Sequence, residues 1–335
     1  MTARSRLHLC VLAVVLVVAT FVSLSLRLNI AGCTGYGYGP GTYLAQCTNE
    51  TYGDYEHAAL ALGFEPVRAA IARAEVVFFG YSHTYFAFSG KETESFFAKR
   101  AIPFYDLALS SEYSAFPQRY LLPMLDHARV AVIDVDPFFK SADVLTPPAR
   151  LIERDPVQAV VQYGIKRGLQ SVHRMFCAPG APFAGGIGTS LMCGTRIASF
   201  RSIDNGNVIF DFGQIYGRSR PRIPVVMQPD FDRAELERIL PYAKDFLDRF
   251  PMPRSCILFT EVPSSFTHPR LAEALAASLG VPFIEPRLSG LTTVDKSHLD
   301  EDSSAAWSAA FWKEAGSIVE NCVRERAVQK SDKPA

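Results

Sequence analysis

The sequence predicts an α/β protein, a parallel sheet covered by helices on both faces, behind one N-terminal transmembrane helix. Three observations carry that expectation. From Glu75 onward, short β-prone apolar runs alternate with helix-length stretches. The first run, Val76 to Phe79, ends at Gly80, and Ser82 follows in the next loop. Ahead of all this, Leu9 to Leu26 carries no charged residue and is rich in Val, Leu and Ala.

The N-terminal run can just span a bilayer core, which needs about 20 residues and at the least ~17. Arg4 and Arg6 precede it, while Arg27 alone follows closely. That bias keeps the amino terminus cytoplasmic and exports the rest, as an uncleaved signal anchor over residues 1–27. A cleaved signal peptide and a lipoprotein signal at Ile30-Ala31-Gly32-Cys33 are the rivals; Arg27 and Asn29 interrupt the apolar run that a lipobox would continue. Residues 28–55, Gly- and Tyr-rich without periodicity, read as a juxtamembrane loop. The body of the chain is one domain over 56–325, and the charged end, 326–335, reads as a disordered tail.

Within the body, the spacing predicts a helix over 55–74, the strand 76–79 and a helix over 86–100. A strand over 102–109, a helix over 114–127 with Pro117 in its first turn, and a strand over 130–135 follow. After an insertion, 140–230, come a helix over 233–250, a strand over 256–262, a helix over 269–279, a short strand over 282–284 and a closing helix over 300–323. The insertion contains a helix-like stretch, 151–176, a Gly/Pro-rich loop and a turn signal at 202–206. Placed between the third and fourth strands, it would overhang the carboxyl ends of the sheet as a lid.

Lys plus Arg and Asp plus Glu balance at 34 each, and no basic stripe stands out, so nothing points to nucleic acid. No C-x-x-C or H-E-x-x-H spacing points to a metal, and no motif calls for a cofactor. Outside the anchor lie Cys33, Cys47, Cys177, Cys193, Cys256 and Cys322. In an oxidising compartment an even set suggests bridges, although six cysteines allow fifteen connectivities. Cys33–Cys47 and Cys177–Cys193 would each close an irregular loop, worth about 3 kcal/mol apiece. Cys256–Cys322 would join a strand to the last helix, and there buried free thiols are the stronger rival.

A buried strand that hands a hydroxyl to the next loop places it at the carboxyl end of a sheet, where open α/β sheets bind ligands. Ser82 could instead merely cap the following helix. The far end of the chain shifts the balance: Asp295 lies three residues before His298, after the last strand and just before the last helix. A serine becomes a useful nucleophile when an imidazole takes its proton and a carboxylate orients that imidazole. A G-x-S-x-G elbow is absent, because Thr84 stands where its second glycine would. His83 reads as a wall or substrate contact, and His268, after the fourth strand, can also reach the crevice.

Gly80-Tyr81-Ser82 and the Asp295-Lys296-Ser297-His298 block together resemble the SGNH (GDSL-like) hydrolase and acyltransferase superfamily, over about 75–140 and 230–325. The resemblance implies a flavodoxin-like three-layer sandwich with a five-stranded parallel sheet and a Ser82–His298–Asp295 triad. The middle blocks depart from the pattern. The oxyanion-hole glycine is replaced by Ser110 or Ser111, and the oxyanion-hole asparagine by Asp136, a carboxylate that cannot stabilise an oxyanion unless protonated. By resemblance to tethered members, the expectation is a periplasmic, membrane-anchored serine esterase or O-acyltransferase. Its substrate would be a cell-envelope or secreted polysaccharide, with a membrane acyl-donor protein as possible partner. The alternative is a degenerate relative that binds glycan or protein without turnover.

Overall fold

The uncharged N-terminal run forms helix α1 (Ala3–Arg27), and its large apolar side chains from Leu7 to Val18 are exposed. The structure is a computed structural model that describes residues 3–27, 40–46, 54–135, 137–140, 145–177, 199–209, 222–228 and 231–331. Among the described residues no helix is long and apolar enough to cross a membrane. The transmembrane helix expected over 9–26 is therefore not shown.

Strand β1 (Thr42–Gln46) follows, within the segment expected to be a loop. The helix expected over 55–74 divides into α2 (Asp54–Ala61) and α3 (Arg68–Arg73). Gly63 between them adopts a left-handed φ of 67°, and Pro66 offers no N–H to continue the ladder. Then come β2 (Val76–Phe79), α4 (Ser82–Phe88), α5 (Lys91–Ala98) and β3 (Phe104–Asp106). The helix expected over 114–127 is instead one π-helical turn, Pro117–Leu121, and one 3-10 turn, Leu122–Met124. Pro123 removes a donor and crowds the preceding turn, so a regular helix cannot pass through.

Next lie β4 (Val130–Asp134), α6 (Pro147–Arg154), α7 (Pro156–Cys177), β5 (Ser199–Ser202), β6 (Val208–Ile209) and β7 (Ile223–Pro224). The chain closes with α8 (Arg233–Leu247), β8 (Ile257–Thr260), α9 (Pro269–Leu279), β9 (Thr292–Thr293) and α10 (Glu301–Ser331). Helix α10 thus occupies most of the tail expected to be disordered.

The parallel sheet has the order β3-β2-β4-β8. It has four strands, not the expected five. At the place of the fifth, Phe283 makes a single parallel bridge to Phe259, with Phe259 N–H donating to Pro282 C=O at 2.8 Å and Ile284 N–H donating to Phe259 C=O at 2.9 Å. Pro282 and Pro286 lack the donors that would lengthen it. β2 is buried throughout and alternates between two layers. Val77 and Phe79 join one core with Phe246 of α8 and Leu275 of α9, while Val76 and Phe78 join another with Trp307, Phe311 and Trp312 of α10. The chain reverses direction in the sheet between β2 and β4, and a crevice at their carboxyl ends is where such sheets place ligands.

Two features outside that sheet tie distant segments of the chain together. β1, β5 and β6 form an antiparallel sheet that joins the N-terminal segment to the insertion. Cys256 and Cys322 are disulfide-bonded, fastening α10 to the entry of β8, so the free-thiol alternative does not hold there. The pairs Cys33–Cys47 and Cys177–Cys193 rest on residues outside those described.

Past the Phe283 bridge, the Glu285 side chain is only 3% exposed, with Arg287 Nε 3.8 Å away. Its Oε1 has no hydrogen-bond partner among the described residues. Burial pushes its pKa up to about 7, against the pull of Arg287. A carboxyl whose pKa is higher folded than unfolded weakens the fold as pH rises from about 4.5 through 7. Glu285→Gln should therefore raise the melting temperature at pH 8 and leave it nearly unchanged at pH 4.5, measured by calorimetry at both pH values.

Candidate active site

β2 delivers its carboxyl end to a turn that only glycine fits. Gly80 has φ +150°, and a Cβ there would lie 2.1 Å from Thr84 Oγ1 and 2.8 Å from Asp134 Cβ. The turn is tied down on two sides. Thr84 Oγ1 donates to Asp134 Oδ2 at 3.0 Å, and Asp134 Oδ1 accepts from Val262 N–H at 3.2 Å, so α4 is fixed to the ends of β4 and β8. Asp134 was missed in the sequence; its signal is a carboxylate closing a strand of otherwise apolar residues. Gly80→Ala should destabilise the protein by about 3 kcal/mol or more, because backbone strain and a clash act together. It should also displace Ser82. Urea unfolding measures the first effect and the rate of fluorophosphonate labelling of Ser82 in the folded fraction the second.

Tyr81 holds the N-cap position, and Ser82 is the first residue of α4. Ser82 is therefore not a helix cap: its Oγ lies 2.7 Å from His298 Nε2. The histidine comes from a turn held by its own carboxylate. Asp295 Oδ1 accepts from Ser297 N–H at 2.9 Å and His298 N–H at 2.8 Å, while Asp295 Oδ2 sits 2.8 Å from His298 Nδ1. Ionised carboxylate only accepts, so Nδ1 carries the proton and Nε2 is left to accept from the Ser82 hydroxyl. Burial works to raise the pKa of Asp295, yet the hydrogen bond and charge of His298 and two backbone N–H groups outweigh it. The carboxyl is held well below the usual range and stays ionised. Phe86, one turn along α4 from Ser82, lies against the His298 ring with centroids 4.3 Å apart. Sequence reasoning did not single it out.

The loop after β3 is joined to the serine turn through Leu109 N–H, which donates to Gly80 C=O at 3.3 Å. Of the expected oxyanion groups, Ser110 N–H donates instead to Glu56 Oε1 at 3.0 Å. Ser111 takes a left-handed φ of 57°, a conformation that favours glycine, and its N–H has no partner among the described residues. Asp136 lies outside the described residues. Tyr81 and Tyr113 flank this loop with ring centroids 5.7 Å apart, and Lys140 Nζ lies 4.0 Å over the Tyr113 ring. His83, expected as a substrate contact, is buried and turns its Nε2 to Ser297 Oγ at 2.6 Å. His268 begins α9, where its N–H donates to Glu261 at 2.5 Å, and it lines a small cavity with Lys140 and Glu261; neither contact joins it to Ser82.

The fold and site thus define a parallel α/β chain in which a serine, a histidine and an aspartate form one hydrogen-bonded relay at the carboxyl end of the sheet. No protein-family model, no curated protein and no solved structure matches the chain.

Proposed function

We propose that this chain is a membrane-anchored, extracytoplasmic serine esterase or O-acyltransferase of the SGNH type. It acts on ester-linked acyl groups of a cell-envelope or secreted polysaccharide. The observation that carries the reading is the unbroken relay Ser82–His298–Asp295. Ser82 attacks the acyl carbon as His298 takes its proton, and the ionised Asp295 holds the ring and stabilises its cationic form. His298 then returns the proton to the leaving group, and an incoming hydroxyl or water releases the acyl chain from Ser82. Two features favour the compartment: the apolar exposed face of α1 behind Arg4 and Arg6, and the Cys256–Cys322 bond.

Transfer to a sugar hydroxyl is favoured over hydrolysis. With the Ser110 amide committed to Glu56, the oxyanion rests on the Ser111 and Ser82 amides. Loss of one donor costs roughly 3–4 kcal/mol in rate, a handicap that a closely held acceptor offsets by positioning. The same shortage of donors favours the second reading, a glycan- or protein-binding module without turnover. The test is turnover of an activated acetyl ester by the exported domain with and without oligosaccharide. Acetylated oligosaccharide, formed faster than free acetate, is the expected result. Oligosaccharide binding with no ester turnover would leave the binding module as the function.

A further inference from the structure

We infer that His83 and Ser297 form a positioning clamp that sets the Ser82–His298 bond, a reading that rests on the proposed chemistry at Ser82. The chain carries two Ser-His dipeptides, 82–83 and 297–298, and the fold lays them against each other in opposite directions. Ser82 Oγ meets His298 Nε2 at 2.7 Å, and His83 Nε2 meets Ser297 Oγ at 2.6 Å. The two imidazoles stand edge to face with centroids 5.5 Å apart. Each dipeptide contributes one hydroxyl and one ring. Because the members are consecutive residues, a shift in one pair moves the other.

A third group separates the roles of the two pairs. The far nitrogen of His298 is held by Asp295 at 2.8 Å, whereas His83 Nδ1 is buried with no hydrogen-bond partner among the described residues. Nothing there orients the His83 ring as a base or stabilises its cation, so Ser297 is not a second nucleophile. Burial, with the neighbouring His298, pushes the pKa of His83 down to about 3 and keeps it neutral. Neutrality suits a clamp in that place, since a second cation beside His298 would oppose the charge it acquires as it deprotonates Ser82.

The turn also needs holding. Lys296, between Asp295 and Ser297, adopts φ +73°, a conformation that costs a non-glycine residue energy. Lys296 N–H donates to Thr293 Oγ1 at 3.0 Å, and Ser265 N–H donates to Lys296 C=O at 2.9 Å. These bonds fix the turn to its own side of the crevice. The His83–Ser297 bond joins the turn to α4, beside the Ser82–His298 bond and the Phe86 ring that lies against His298.

The experiment measures the rate at which a fluorophosphonate labels Ser82 in full-length His83→Phe, Ser297→Ala, the double variant, His83→Gln and His83→Asn. His83→Phe and Ser297→Ala should each slow labelling about tenfold to a hundredfold, the usual effect of misplacing a reacting group by an ångström. The double variant should be no more than about threefold worse than either single, as for one shared contact. His83→Gln, whose amide reaches the Nε2 position, should recover most of the rate, and the shorter His83→Asn should not. The acid limb of the pH–rate profile should keep its midpoint, because Asp295 and His298 are untouched. Loss of that limb in His83→Phe would make His83 the base and overturn the clamp, as would wild-type rates in both single variants. Amide exchange at Ser297 and His298 gives a readout independent of reactivity: about tenfold faster in His83→Phe and restored in His83→Gln. Unchanged exchange would also overturn the clamp, whereas an unlabelled wild type would overturn the Ser82 reading alone.

Discussion

Ser82→Ala and His298→Ala are each expected to lower turnover of an activated ester by about 10⁴-fold or more. The double variant should lose little beyond that. The reason is the single relay: Ser82 Oγ, His298 Nε2, His298 Nδ1 and Asp295 Oδ2 are linked at 2.7 and 2.8 Å. A serine without its base is a poor nucleophile, and a base without its serine has no proton to take. Asp295→Asn should cost less, because the asparagine can still contact the ring but presents no charge to its cation. Steady-state kinetics on the folded variants checks all four, and full activity in Ser82→Ala would remove Ser82 as the nucleophile.

Arg201→Met is expected to destabilise the protein by about 3–5 kcal/mol, the cost of leaving a buried charge without its partner. Arg201 lies in β5, fully buried. Its Nη1 donates to Glu56 Oε2 at 2.9 Å and to Ala108 C=O at 2.7 Å, its Nη2 to Asp106 C=O at 2.5 Å and its Nε to Gly206 C=O at 2.8 Å. Glu56 in turn accepts from Ser110 N–H, so this guanidinium braces the loop that carries Ser110 and Ser111. Burial already pushes Asp106 up to about 6 against the pull of Arg201. The loss should therefore be larger at pH 8, where the stranded Asp106 carboxylate is ionised, than at pH 5, where protonation relieves it. Adding Glu56→Gln should recover part of the stability. Melting curves at the two pH values test this; a variant as stable as the parent at pH 8 would contradict it.

The elements that were legible in the sequence are those whose signal is local. Val76 to Phe79 is a strand because a short apolar run meets a glycine, and 269–279 is a helix because Pro269 opens it and Gly280 closes it at φ 66°. Asp295 and His298 were readable as a pair because their spacing is a turn's own geometry. What escaped depends on partners far along the chain. β1 looked like a loop until β5 paired with it, and nothing near Arg201 announces Glu56 and Asp106. His83 read as a wall because its partner, Ser297, lies in the last loop. Cys256 and Cys322 looked least suited to a bridge, since each sits in regular structure whose packing alone decides their meeting.

The most direct test of the central claim is mass spectrometry of the protein after exposure to a fluorophosphonate. The account predicts one adduct per chain on the peptide containing Ser82, absent in Ser82→Ala and strongly slowed in His298→Ala. An unmodified Ser82, or an adduct that forms equally well without His298, would contradict it.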